Sequence, residues 1–197
     1  LSTESGKPLQ AILRGAIGSG RSWALARLIL DLIDADGGEA KLVSLLINAN
    51  DLAQRIRAYR RRSVQKAAAP GHLISWYIHA AFGDRLDMEK MLLQAFDSKR
   101  LILAIDGMDE APDIQSELEA CLMHEIAPLG ISFIATCLEE MSPEFEVSGN
   151  YVLLNMQPTT LEQRLAVVEL LKPRFSDYFD HAACLFRGRF EADDIYG

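Results

Sequence analysis

The eight residues from Gly15 to Ser22, GAIGSGRS, have the types and spacing of a loop that binds phosphate. They fit the pattern G-x-x-x-x-G-K-[ST] at every position except one, where Arg21 replaces the lysine. Glycines let such a loop curl so that its backbone N–H groups face an anion at the start of a helix. The residues that would surround the phosphates are Gly15, Gly18, Ser19, Gly20, Arg21 and Ser22. A tight strand-to-helix turn without any ligand is the alternative interpretation.

The last two residues of this loop would contribute different chemistry. The Ser22 hydroxyl would bind a Mg²⁺ ion beside the phosphates. Arg21 keeps the positive charge, but its guanidinium is a wide planar group, whereas the ammonium of lysine is compact. We therefore expect nucleotide binding to be weakened rather than abolished. A chemical step should suffer more, because it tolerates little displacement of the reacting groups.

Acidic residues follow a second apolar stretch, LILAIDGMDEAP, in which Leu101 to Ile105 are stopped by Asp106. In open α/β sheets ligands bind beyond the carboxyl ends of the strands, where Asp106 would lie. A carboxylate there can hold Mg²⁺ opposite Ser22, directly or through water. Asp109 and Glu110 follow within one turn and could orient or deprotonate an attacking water. The alternative is that these two acids begin a helix and that Asp106 is a solvated loop residue.

A third apolar stretch, ISFIATC, ends near Thr136. If it is a strand of the same sheet, the Thr136 hydroxyl could lie beside the γ-phosphate of a bound nucleotide. A core strand with a polar end is the simpler interpretation of this stretch.

The order of apolar runs along the chain predicts the fold class. Strand-like runs (LQAILRG, AKLVSLLI, RLILAID, GISFIATC and NYVLLNM) alternate with segments of helical spacing. This alternation predicts an α/β protein with three layers, in which a mostly parallel five-stranded sheet has helices on both faces. We expect Asn50 or Asp51 to cap the helix after AKLVSLLI. We also expect one continuous helix through IQSELEACLMHEIAP.

Domain organisation is predicted from the C-terminal part of the chain. Residues 1–157 should form the nucleotide-binding domain, and residues 158–197 should begin a helical subdomain. Its first helix would be capped by Thr159 or Thr160. Because the sequence begins at Leu1 and stops at ADDIYG, we interpret it as a segment of a longer protein.

Composition excludes several classes of protein. With 20 basic and 28 acidic residues the net charge is −8, which argues against a protein that mainly coats nucleic acid or an anionic membrane. Six basic residues between Arg55 and Lys66 form either a solvated helix face or mobile loop, or a local contact for an acidic partner or nucleic acid. WALARLILDLI is too short and too charged to span a membrane. The odd number of scattered cysteines favours a reducing compartment, the cytoplasm.

With these motifs together, the chain resembles a NACHT-type domain of the signal-transducing (STAND) P-loop NTPases over roughly residues 9–175. The resemblance is carried by LILAIDGMDEAP, similar to that family's D-G-x-D-E motif, and by the LNMQPTTLEQR passage. It implies phosphate contacts from the glycine loop, Mg²⁺ on Asp106, water polarised by Asp109 and Glu110, and Thr136 near the γ-phosphate. This sequence departs from the family at Arg21 and at Leu138, where the family has an arginine after Thr-Ser.

Two functions remain open on these residues. The first is a nucleotide-controlled switch, in which ATP (or ADP) with Mg²⁺ promotes self-association or contact with other domains of the same chain, with slow hydrolysis. The second is a pseudo-NTPase, an interaction scaffold with little or no turnover. A small-molecule kinase is disfavoured because no lid motif follows the loop, and GTP is disfavoured because no N-K-x-D stretch occurs.

Overall fold

A computed structural model describes residues 8–35, 42–62, 72–138, 151–158 and 160–171. The chain divides into two compact units, Leu1–Gln157 and Pro158–Gly197. In the described part of the chain, no helix is both long enough and apolar enough to cross a membrane.

The first unit is built on a five-stranded sheet with the strand order β2-β3-β4-β1-β5. Every neighbouring pair of strands is parallel. The predicted α/β class with a mostly parallel five-stranded sheet is therefore confirmed, and the sheet is in fact entirely parallel. The strands are β1 Gln10–Arg14, β2 Val43–Asn48, β3 Leu101–Asp106, β4 Ser132–Cys137 and β5 Val152–Asn155.

Helices cover both faces of this sheet, as predicted. In the first unit they are α1 Arg21–Ala35, α2 Ala49–Arg62, α3 Leu73–Phe82, α4 Leu86–Asp97, α5 Gln115–Cys121 and α6 Ala127–Leu129. Alternate side chains of β3 divide between the two faces, because successive residues of a strand point to opposite sides. Leu103 and Ile105 lie in the larger core with residues of α2 to α5. Ala104 packs on the other face against Leu25 and Ile29 of α1.

One local prediction was wrong, and one predicted helix contains an irregular turn. Helix α2 begins directly where β2 ends, so its cap is Asn48, whose Oδ1 accepts the Asp51 N–H at 3.1 Å, and not Asn50 or Asp51. The helix predicted over residues 114–128 begins at Gln115 with α5, and the 3₁₀ turn at Met108–Glu110 lies before the predicted segment. A π-helical turn, Leu122–Ile126, then separates α5 from α6.

The described part of the second unit contains one helix, α7 Leu161–Leu171. Its first turn is closed by reciprocal hydrogen bonds, in which the Gln163 N–H donates to Thr160 Oγ1 and the Thr160 N–H donates to Gln163 Oε1. This is a capping box, so Thr160 is the cap. Thr159 lies outside the described residues, as do residues 63–66 of the basic segment.

Candidate functional site

The glycine loop joins the end of β1 to the start of α1, at the carboxyl edge of the sheet. Gly18 and Gly20 have φ values of 79° and 87°, in the left-handed region that side chains disfavour. Gly15 is needed for a different reason, because a Cβ there would lie 2.5 Å from Ser19 Oγ. The loop therefore adopts a curled path that its glycines permit, as predicted for Gly18 and Gly20.

The curl leaves several backbone donors unpaired. Among the described residues, no acceptor is found for the N–H groups of Gly18, Gly20, Arg21 and Ser22, whereas the Ser19 N–H donates to Ala16 O at 3.1 Å. Ser19 Oγ is also buried without a hydrogen-bond partner there. Buried polar atoms normally find a partner, and unpaired N–H groups at the start of a 15-residue helix attract anions. The loop thus offers a concentrated set of donors to a negatively charged ligand.

Arg21, the first residue of α1, points across the edge of the sheet to the acidic motif. Its Nη1 donates to Asp109 Oδ1 at 2.7 Å and its Nη2 donates to Oδ2 at 3.4 Å. Both side chains are nearly buried, at 12% and 13% exposed. Asp109 Oδ1 also accepts the Leu138 N–H at 2.9 Å. This carboxylate therefore holds the glycine loop, the turn after β3 and the end of β4 together.

Asp106, the last residue of β3, is held by the neighbouring strand. The Thr136 hydroxyl donates to Asp106 Oδ1 at 2.7 Å and accepts the Gly107 N–H at 2.8 Å. Thr136 is completely buried and Asp106 is half-buried. Thr136 is therefore engaged by the acidic motif itself, and one carboxylate oxygen of Asp106 is fixed while the other has no partner among the described residues.

Gly107 and Glu110 shape the turn that follows β3. Gly107 has a φ of 72°, and a Cβ on it would lie 2.8 Å from Glu110 Cδ. The Glu110 side chain thus folds back over Gly107, yet the residue is exposed. Its carboxylate has no ion pair within the described residues, in contrast to that of Asp109. Glu110 is consequently the acid of this turn that meets solvent.

The structure brings together most of the predicted site residues. Arg21 reaches Asp109, and Thr136 reaches Asp106. Ser22 is exposed on the first turn of α1, and its hydroxyl makes no hydrogen bond to another described residue. Sequence reasoning missed the backbone N–H groups of Gly107 and Leu138 as part of the site. For the Gly107 N–H the only sequence signal was the position of this glycine between Asp106 and Asp109. Nothing in the sequence marks the Leu138 N–H.

Cys137, the last residue of β4, lies against the same ionic groups. Burial raises the pKa of the Cys137 thiol to about 11, and the nearby Asp109 carboxylate adds to the rise, while the Arg14 and Arg21 guanidinium groups oppose it. The thiol is therefore protonated at neutral pH and acts as an apolar group beneath the site.

Asp106 and Ser22 are candidate ligands for a metal ion that arrives with a nucleotide. In the described residues no three His, Cys, Asp or Glu side chains converge on a point that could hold a metal. Mg²⁺ commonly takes one or two protein ligands and completes its shell with phosphate oxygens and water. Asp106, with one oxygen unpartnered, and the Ser22 hydroxyl are the residues that would hold it.

The basic face of α2 is largely paired within the chain. Arg57 makes two 2.7 Å hydrogen bonds to the Asp113 carboxylate. Arg60 binds Glu117 at the start of α5. The hydrogen bonds from Arg57 lower the pKa of the exposed Asp113 carboxyl. The paired arginines connect α2 to α5 and leave less positive charge available to an outside partner.

Comparison with solved structures identifies the fold. The chain superposes on the Orc1 protein of Aeropyrum pernix, solved in complex with DNA, with a TM-score of 0.52 at 20% identity, over 85% of this chain and 44% of that one. The chain has a P-loop NTPase-like fold. It also matches a chain of the Escherichia coli HORMA–CdnC–Trip13 complex (TM-score 0.45, 16% identity, 87% of this chain and 54% of that one). No family model and no curated protein sequence matches it. The chain spans about half the length of either neighbour.

Proposed function

We propose that this chain is the ATP- and Mg²⁺-binding regulatory module of a signalling protein, in which nucleotide binding controls conformation and self-association. The observation that carries the proposal is the Arg21–Asp109 pair. It brings a loop with unpaired N–H donors to the strand ends that carry the acidic residues. A P-loop NTPase-like fold with unpaired loop N–H groups and a carboxylate that could ligate a metal at one edge supports a nucleoside triphosphate as the ligand.

The proposed roles follow the chemistry of each side chain. The N–H groups of the glycine loop and Arg21 would bind the phosphates, and Ser22 with Asp106 would hold Mg²⁺. Thr136 would lie near the γ-phosphate and would orient the Asp106 carboxylate, to which its hydroxyl donates. Of the two acids proposed to polarise water, Glu110 is exposed, whereas Asp109 is already bound to Arg21. We therefore assign the attacking water to Glu110 first.

The regulatory part of the proposal rests on the resemblance to NACHT domains. A nucleotide shifts a conformational equilibrium only if its affinity differs between the two states. In this proposal ATP stabilises one arrangement of residues 1–157 against the helical subdomain that begins at residue 158, and against other domains or copies in the cytoplasm. ATP is preferred to GTP because the sequence has no guanine-reading motif.

A pseudo-NTPase scaffold is the second candidate, and a specific observation favours it. The residue that replaces the phosphate-loop lysine is neutralised by Asp109, and Leu138 stands where the resembling family has an arginine. Both changes remove positive charge from the place where a γ-phosphate would lie. Such a site could bind nucleotide and still release no phosphate.

DNA is not proposed as a partner, although the Orc1 neighbour was solved in complex with it. Affinity for nucleic acid comes mainly from cationic groups that neutralise phosphates. Here the net charge is −8, and Arg57 and Arg60 of α2 are paired with acidic residues of the same chain.

The proposal is tested by thermal unfolding with ATP, ADP and GTP, each with and without Mg²⁺. A ligand at 100 times its Kd stabilises by about 2.7 kcal/mol, which raises Tm by roughly 5–10 °C in a domain of this size. We expect this shift with ATP and Mg²⁺, and expect Asp106→Ala to abolish the contribution of Mg²⁺. Asp113→Ala, an acid removed from an exposed ion pair, is the matched control. No shift with any nucleotide overturns the proposal, and a shift without phosphate release favours the scaffold.

A further inference from the structure

The Arg21 guanidinium is the only cationic group of the glycine loop, and it is paired with the Asp109 carboxylate. Between Arg14 and Arg27 the sequence contains no other Lys or Arg. Both terminal nitrogens of Arg21 face the Asp109 carboxylate, in an ion pair that is nearly shielded from water. Paired in this way, the loop presents its N–H donors to an anion without a free positive charge.

Asp109 is the fixed partner of this pair. Its Oδ1 also accepts the Leu138 N–H at 2.9 Å, so the carboxylate is anchored to the end of β4 independently of Arg21. Arg21, in contrast, follows a loop in which Gly18 and Gly20 supply the conformational freedom. If the pair opens, Arg21 is therefore the side chain that moves.

We infer that the Arg21–Asp109 pair is a latch on the phosphate site, in which the Asp109 carboxylate competes with nucleotide phosphate for the Arg21 guanidinium. Carboxylate and phosphate are both bound by the planar fork of arginine, so a phosphate that takes the two terminal nitrogens must displace Asp109. The inference rests on the proposed nucleotide site and concerns its regulation. The apparent affinity for nucleotide equals the affinity of the open site multiplied by the fraction of molecules in which Arg21 is released from Asp109.

The latch predicts the outcome of a double-mutant cycle. Asp109→Asn keeps the size of the side chain and an oxygen that can accept the Leu138 N–H, but removes the charge that holds Arg21. We expect it to tighten binding of a non-hydrolysable ATP analogue with Mg²⁺ about tenfold, because a site latched in nine molecules of ten loses that factor. Arg21→Gln should weaken binding, since the released guanidinium contacts phosphate.

The double variant separates the latch from simple charge repulsion. If Asp109 only repels the anion, Asp109→Asn tightens binding equally in the presence and absence of Arg21. If Asp109 competes for Arg21, the gain is confined to the background that contains Arg21 and falls below about twofold in the Arg21→Gln background. Asp113→Asn, which breaks another two-bond Arg–Asp pair at the surface, should leave the affinity unchanged.

Binding of the analogue is measured by titration calorimetry, and folding of each variant by thermal unfolding. A tenfold gain that requires Arg21 supports the latch. An unchanged or weaker affinity for Asp109→Asn, a gain that persists without Arg21, or an Arg21→Gln variant that binds as well as the parent overturns it while the nucleotide site stands. If neither the parent nor Asp109→Asn binds the analogue, the proposed function fails, and the latch fails with it.

Discussion

The Thr136 hydroxyl on β4 donates to Asp106 Oδ1 on the neighbouring β3 at 2.7 Å and accepts the Gly107 N–H at 2.8 Å. One buried hydroxyl therefore fixes the carboxylate that would hold Mg²⁺ and also pairs a buried backbone donor. We propose a positioning role for Thr136, since it is completely buried and its hydroxyl is engaged by Asp106 and Gly107.

Replacement of Thr136 by valine should lower both stability and Mg²⁺ affinity. It leaves the Gly107 N–H without an acceptor, which costs about 1–3 kcal/mol of unfolding free energy, and it frees the Asp106 carboxylate to rotate. Thr136→Ser restores the hydroxyl and should recover most of both. The measurements are urea unfolding and the Mg²⁺ concentration that half-saturates ATP binding. A valine variant with the same Mg²⁺ requirement as the parent would show that this hydrogen bond does not position the metal ligand.

The glycines of the loop should respond differently to alanine, because two separate constraints act on them. Gly20→Ala meets no steric contact but forces a side chain into the left-handed region, which costs about 1–2 kcal/mol. Gly15→Ala instead places Cβ 2.5 Å from Ser19 Oγ. Adding Ser19→Ala should therefore recover part of the stability in the Gly15→Ala background, where Cβ would still lie 3.1 Å from Met156 Cβ, and none in the Gly20→Ala background. Equal recovery in both, measured by urea unfolding, would contradict this division.

The sequence was sufficient to predict the strands, the glycine loop and the acid at the end of β3, because each is a local pattern. A run of apolar residues stopped by Asp106 predicts a buried strand with an acid at its end. A glycine-rich stretch between a strand and a helix predicts a tight turn. The pairing of Arg21 with Asp109 could not be predicted in this way. It depends on the insertion of β4 between β1 and β3, which determines how far the loop lies from the acidic turn.

The helix cap differs from the prediction for a local reason. The apolar run AKLVSLLI ends at Ile47, and we predicted the cap of the next helix at Asn50 or Asp51. The chain instead passes from β2 to α2 without a loop, so the last residue of the strand is also the cap. Similarly, nothing in the helical spacing of LMHEI marks the π-helical turn at Leu122–Ile126, since one extra residue per turn barely changes the apolar pattern.

Replacement of Arg21 by lysine should raise ATP turnover. A lysine ammonium forms one contact with Asp109 in place of the two-bond fork, and its compact charge suits the phosphate oxygens better. We expect a gain of about tenfold in phosphate release, measured at saturating ATP and Mg²⁺. The control is Arg21→Lys combined with Glu110→Gln, which should bind ATP equally well and release little phosphate, because the exposed acid is proposed to polarise water. Turnover that stays at the parent level in Arg21→Lys would favour the scaffold.

The buried thiol of Cys137 should make the protein less stable in alkali. Burial raises the pKa of this thiol from 9.0 to about 11. Between these two pH values the unfolded chain releases the proton while the folded chain retains it. The unfolded state then binds fewer protons, and stability falls as pH rises. A shift of this size corresponds to roughly 3 kcal/mol once pH passes the folded-state pKa, with little effect below pH 8.

Cys137→Ala isolates this contribution because it removes the thiol and retains the other titrating groups, Cys121 included. The parent should exceed the variant in unfolding free energy at pH 8, since alanine leaves a small cavity at a fully buried position. That advantage should shrink and then reverse as pH rises from 9 to 11. The measurement is urea unfolding of both proteins at pH 8, 9, 10 and 11 under reducing conditions. Parallel curves across this range would mean that the Cys137 thiol ionises as easily in the folded protein as in the unfolded chain, and that the end of β4 is open to water.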